Sequence, residues 1–169
     1  MPEPTITIEP ARRDELPEIQ RLAGIVWRGH YPGIITNAQI EYMLERGYSL
    51  PALQRLADTP GYRFDLLKVD GVPIGFAGYF PDTAPGTMKL DRIYLLPERH
   101  GQGLGRRLID HVAAEARAAG CATLTLRVNK GNAKAVAFYQ RAGFAIREST
   151  VDDIGSGFVM DDFVMARPL

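Results

Sequence analysis

Residues 94–112 read YLLPERHGQGLGRRLIDHV, and this stretch decides how the rest of the chain is to be understood. Gly101, Gly103 and Gly105 alternate just before a segment whose Leu104, Leu108 and Val112 recur at helical spacing. Glycine in regular structure costs ~0.5–1 kcal/mol relative to alanine, so this density points to a backbone conformation or close approach that side chains would forbid. Arg106 and Arg107 follow in the first helical turn, where the macrodipole is positive and acidic residues are favoured. Both departures resolve if the turn holds an anion. Helix-start N–H groups lack intrahelical partners, glycine lets a phosphate approach them, and arginine pairs with the charge it brings.

The flanking segments supply the frame for that turn. TMKLDRIYLL, residues 87–96, reads as a strand ending at Pro97. After the helix, Gly120 is a natural stop, ATLTLRV at 122–128 alternates as a strand, and Asn132 can cap a further helix with Ala135, Phe138, Tyr139 and Ala142 along one face. Upstream, TITIEPA reads as a strand and RDELPEIQRLAGIVW as a helix. Residues 36–58 read as one or two helices, with Thr36 or Asn37 as cap and Pro51 as a break. Residues 62–80 form two β-rich runs meeting at Asp70-Gly71, a tight-hairpin dipeptide. FAIREST and FVMDDFVMA close the chain as strands. The order predicts one mixed α/β (α+β) domain over residues 1–169.

Composition narrows the partners. The 169 residues are 46% hydrophobic and 24% charged, ordinary for one globular domain. Twenty basic residues balance twenty acidic ones, so no nucleic-acid partner is expected, although a local basic pocket stays compatible. The start has no secretory pattern and no apolar run approaches a membrane span, so the expectation is a cytoplasmic protein without a membrane partner. Cys121 is the sole cysteine, which excludes an internal disulfide or a cysteine-based zinc site; no metal is expected, and Cys121 itself reads as a buried core residue.

Several phosphate ligands compete. A Walker loop needs Lys and then Ser or Thr after its last glycine, and Arg106 and Arg107 stand there instead. A dinucleotide fingerprint needs Gly-x-Gly-x-x-Gly and an acid on the following strand, whereas this chain has Gly-x-Gly-x-Gly followed by Thr125 and Arg127. NADP, whose 2′-phosphate suits an arginine, remains an alternative.

From Leu90 to Phe144 the chain resembles the GNAT superfamily of acyl-CoA-dependent N-acyltransferases. The superfamily's glycine motif runs Gln or Arg, two residues, Gly, any residue, then Gly or Ala; His100, Gly103 and Gly105 occupy it, the histidine being a departure. The downstream pattern is matched by Asn132, Ala135, Tyr139, Gly143 and Phe144. The amino-terminal region and the last strand are more loosely similar to a bacterial branch that includes polyamine acetyltransferases. The resemblance implies a mixed, mostly antiparallel sheet of about seven strands flanked by helices. It also implies acetyl-CoA as cofactor and a small-molecule primary amine, such as a polyamine, as acceptor. A protein N-terminus or lysine, or a CoA-binding module without catalysis, are the alternatives, and a homodimer is left open.

The same resemblance assigns sites. Ile93, Tyr94 and Leu95, then His100, Gly101, Gln102, Gly103, Leu104, Gly105 and Arg106, with Asn132 and Tyr139, are the expected cofactor contacts. Acetyl transfer between two splayed strands needs an amine relieved of its proton, a stabilised oxyanion and a proton for the departing thiolate. Tyr139 maps onto the family's proton donor and Asp91 onto the strand acid used as base, with His30 as alternative. On a regular strand Asp91 shares a face with Ile93 and Leu95, so its aim requires a bulge. His30, Tyr31, Glu41, Tyr42, Asp161 and Asp162 are the expected acceptor-side residues, carboxylates and aromatics being suited to a cationic amine.

Overall fold

The computed structural model describes residues 2–169. Seven strands form one sheet in the order β1-β2-β3-β4-β5-β7-β6. They are β1 (Ile6–Pro10), β2 (Arg63–Val69), β3 (Val72–Pro81), β4 (Thr87–Leu95), β5 (Thr123–Asn129), β6 (Ala145–Gly155) and β7 (Phe158–Pro168). Neighbours pair antiparallel except β4 and β5, which run parallel. The mixed, mostly antiparallel sheet read from the sequence is therefore present.

Five helices flank it: α1 (Leu16–His30), α2 (Asn37–Tyr48), α3 (Leu50–Ala57), α4 (Leu104–Ala118) and α5 (Ala133–Arg141). Residues 36–58 resolve into two helices. Thr36 Oγ1 accepts from the Gln39 amide at 3.1 Å to start α2, and Ser49 caps α3, with Pro51 in its first turn. The β2–β3 turn places Asp70 at φ 50° and Gly71 at φ 79°, the left-handed pair a tight hairpin demands. α1 packs on β3 and β4, while α4 packs on β3, β4 and β5. The core runs continuously from Leu16, Ile19 and Leu22 of α1 through Leu66 and Phe76 of the sheet to Leu108, Ile109 and Val112 of α4. Cys121 corrects one expectation. It is half-buried and packs against the rim of this core rather than inside it.

One topological detail positions everything that follows. β4 and β5 pair only through Thr87–Leu90 and Thr123–Leu126. Beyond that rung β4 continues to Leu95, while β5, paired to β7 along its whole length, runs on to Asn129 opposite Asp162. The two parallel strands part company, and a wedge opens in the middle of the sheet.

Candidate active site

The wedge leads into a cavity of about 1240 Å³ lined from α1, α2, β4 to β7, the glycine turn, α4 and α5. Ile93, Tyr94 and Leu95 line its wall, paired to β3 on one edge and without a strand on the edge that faces β5. Main-chain groups on that edge have lost the strand partner that backbone normally requires, so they are open to a ligand.

At the cofactor end, each glycine has its own reason. Gly101 and Gly103 have φ of 78° and 76°, conformations that L side chains rarely adopt. Gly105 is ordinary helix, but a Cβ there would stand 3.1 Å from the Phe138 ring, so its absence lets α4 and α5 approach. Gly103 is the N-cap and has no side chain to satisfy the first turn, and the first helical bond runs from the Arg107 amide to the Gly103 carbonyl at 3.1 Å. The amides of Leu104, Gly105 and Arg106 take no acceptor within the described chain. Such a group of donors at a positive helix end fits a diphosphate. His100, the departure from the family motif, turns inward: its Nε2 donates to the Leu95 carbonyl at 3.0 Å and ties the turn to the end of β4. Arg106 lines the cavity but also meets Asp110 at 3.2 Å and the Arg141 carbonyl at 3.2 Å. Gln102 sits exposed at the tip and does not line the cavity.

None of the nine residues of α5 is fully buried. Its apolar stripe of Ala135, Phe138 and Tyr139 is half-buried and lines the cavity. That uncovered stripe suits the carbon chain of a long cofactor. Asn132 does two jobs with one atom: Oδ1 caps α5 by accepting from the Ala135 amide at 3.3 Å and accepts from His30 Nε2 at 3.0 Å.

Aromatic rings fill the centre. Trp27 stacks on Tyr31 at 4.3 Å and tilts against Tyr94 at 6.0 Å, and Tyr48 meets Tyr94 edge-on at 6.3 Å. Burial pushes the Tyr31 hydroxyl up to about 12, a nearby Tyr94 hydroxyl opposing. Burial likewise raises Tyr139 and Tyr94 well above the ordinary phenol range, so these hydroxyls keep their protons at neutral pH.

The bulge on which the aim of Asp91 depends is present in β4. Gly78 pairs with Arg92 and Tyr79 with Leu90, which leaves Asp91 as the extra residue of β4. Asp91 lines the cavity, with Oδ2 accepting from the Tyr62 hydroxyl at 2.8 Å and from Arg92 Nε at 3.3 Å. Gly78 makes this possible, since a Cβ there would lie 2.4 Å from the Tyr62 hydroxyl. Asp162, His30 and Tyr31 also line the cavity.

Three acceptor-side expectations fall outside the lining. Glu41 pairs with Arg28 at 2.8 Å on the surface, both side chains 59% exposed. Asp161 pairs with Lys130 at 2.7 Å. Tyr42 donates to the Ile154 carbonyl at 2.6 Å and packs on Phe158, roofing the cavity instead of lining it. The sequence reading missed Trp27, Tyr48 and Arg92, whose guanidinium lies 4.3 Å over the Tyr48 ring. Nothing local distinguishes them; they meet only through tertiary packing.

A wedge between parallel strands, closed at one end by unpartnered helix-start amides, defines a fold that holds a phosphorylated carrier. The sequence model of the Acetyltransferase (GNAT) family matches residues 29–144, and the chain belongs to that family. IAA acetyltransferase of Azospirillum brasilense is 31% identical over 147 residues, covering 87% of this chain and 88% of that protein. Among solved structures, PaiA N-acetyltransferase from Thermoplasma acidophilum in complex with coenzyme A superposes with a TM-score of 0.81 at 24% identity, over 98% of this chain and 99% of that one. A chimera of spermidine N-acetyltransferase SpeG from Vibrio cholerae and hSSAT gives 0.72 at 22% identity, over 96% and 95%. The two structural likenesses speak to the fold alone. The protein is an acetyl-CoA-dependent N-acetyltransferase.

Proposed function

We propose that the protein acetylates a primary amine of a small molecule, with polyamines the first candidates, by direct transfer within a ternary complex. The observation that carries the reading is the roof over the acceptor end. Tyr42 and Arg46 of α2 both donate to the Ile154 carbonyl, at 2.6 and 2.8 Å, and Gln39 Nε2 donates to the Val159 carbonyl at 2.9 Å. α2 is thereby clasped to the β6–β7 hairpin, and the compartment beneath suits a small acceptor better than a polypeptide laid in an open groove.

Acetyl-CoA supplies the activated acetyl thioester. The amides of Leu104, Gly105 and Arg106 would hold its diphosphate, the unpaired edge of Ile93 to Leu95 its amide groups, and the apolar stripe of α5 its carbon chain. Tyr139 keeps a proton on its phenol oxygen for the departing sulfur. Asp91, aimed into the cavity by its bulge, and His30, fixed by Asn132, are the bases suggested by the sequence. Cys121 lies off the cavity, which favours direct transfer over an acyl-cysteine route.

The test is acetyl-CoA-dependent release of free thiol across a panel containing spermidine, simple alkylamines, amino acids, and peptides with free N-termini or lysines. Release with small amines and none with peptides is expected. Release with peptides alone would replace this reading with protein acetylation, and CoA binding without release from any acceptor would leave a binding module.

A further inference from the structure

We propose that Asp162 is the base that takes the proton from the acceptor's ammonium group. The proposal rests on the small-amine reading above.

Asp162 sits on β7 opposite Asn129, at the end of the β5–β7 ladder and past the rung where β4 and β5 separate. It is only 5% exposed, yet it lines the cavity. Its Oδ1 is sealed without a hydrogen-bond partner, and so is the hydroxyl of Thr150 directly across the β6–β7 pair. A buried carboxylate without donors is expensive, and folded chains rarely keep one without a use.

Its neighbouring cations oppose this cost only from a distance, and neither gives it a hydrogen bond. Arg127 on β5 is bridged to Asp152 on β6, and Lys130, after β5, is bridged to Asp161 on β7. From the end of α1, His30 and Tyr31 line the cavity with it, and burial keeps the Tyr31 phenol protonated. Burial raises the proton affinity of Asp162, Arg127 opposing and Asp152 adding to it. That moves the group toward the range in which a carboxylate can accept a proton near neutral pH. Asp91 differs, because its Oδ2 already receives hydrogen bonds from Tyr62 and Arg92. Asp162, Tyr31 and Tyr139 all line the same cavity, so the proposed base and acid open onto one compartment.

The step is a proton transfer. One N–H bond of the ammonium breaks, its electron pair stays on nitrogen as the nucleophilic lone pair, and the proton bonds to a carboxylate oxygen of Asp162. Asp162 then returns one proton to solvent per turnover, which matches the proton released when an ammonium and a thioester become an amide and a thiol.

The experiment compares wild type, Asp162→Asn and Asp91→Asn, each checked for coenzyme A binding by calorimetry. With spermidine as acceptor, kcat/KM for Asp162→Asn should fall by about 10²–10⁴-fold. The acidic limb of the pH profile should vanish in that variant and persist in Asp91→Asn. Hydroxylamine, uncharged at pH 7.5, should lose far less rate. An Asp162→Asn enzyme with full rate and an unshifted acidic limb overturns the proposal. Melting temperature gives a readout that needs no acceptor. A carboxyl raised in the folded state binds more protons there than in the unfolded chain, so it weakens wild type as pH rises through the raised value. Asp162→Asn should therefore melt higher than wild type at pH 8, the gap closing as pH falls toward the ordinary carboxyl value of about 4. Equal melting curves at every pH overturn the premise that this carboxylate is uncompensated. Absence of wild-type turnover on spermidine and on the other small amines fails the small-amine reading instead.

Discussion

The two ends of the cavity are built in different ways. The proposed cofactor end comes from short, contiguous stretches: the β4 edge at 93–95, the main-chain amides of the glycine turn at 100–106, and the α5 face at 132–139. The acceptor end is mostly side chain, drawn together from across the fold. His30 meets Asn132 across 102 positions and Tyr42 meets Ile154 across 112. Main-chain recognition depends on local conformation, and conformation is imposed by nearby glycines and caps. Side-chain recognition depends on packing, and each contributor can change independently. One end can therefore stay constant while the other is retuned for a different amine.

That contrast can be broken by experiment. Tyr139→Phe should lower turnover by about 10²–10⁴-fold while calorimetry finds coenzyme A affinity unchanged. Because burial lifts this phenol, turnover should show no alkaline loss from Tyr139 below about pH 10, the ordinary phenol value. Gly103→Val forces a left-handed position into a β-branched residue. Its displaced amides, at about 1.5–3 kcal/mol per hydrogen bond to a charged group, should weaken coenzyme A by roughly 10–100-fold and leave the acceptor KM alone. Unclasping the roof with Tyr42→Phe and Arg46→Ala should do the reverse, raising KM for the amine by about 3–10-fold with unchanged coenzyme A binding. An effect of the roof on coenzyme A, or of Gly103 on the amine, would dissolve the division between the ends. Glu41→Gln breaks an exposed pair on the outer surface and should change neither the kinetics nor the melting temperature measurably.

The same division explains what could be read in advance. The alternation before α4, the Asp70-Gly71 turn and the caps at Thr36 and Asn132 are local, and all four appear in the fold. Asp91 could be named, but its aim depends on a register shift opposite Gly78 that pairing alone reveals. Tyr139 could be named from the motif alone, since a helix that faces a ligand site has the same periodicity as one that faces a core. Glu41, Tyr42 and Asp161 were credible by charge and ring chemistry and found partners elsewhere. Trp27, Tyr48 and Arg92 carried no mark at all, because an aromatic or arginine inside a helix or strand is indistinguishable from any other until its neighbours are known.

Asn132 belongs to both halves through a single oxygen. It fastens the last residue of α1 to the first turn of α5, like a rivet through two plates. The contact holds the imidazole against the start of the helix whose apolar stripe lines the cavity. Because the same oxygen caps α5, replacing Asn132 would loosen the start of that helix together with the imidazole it holds.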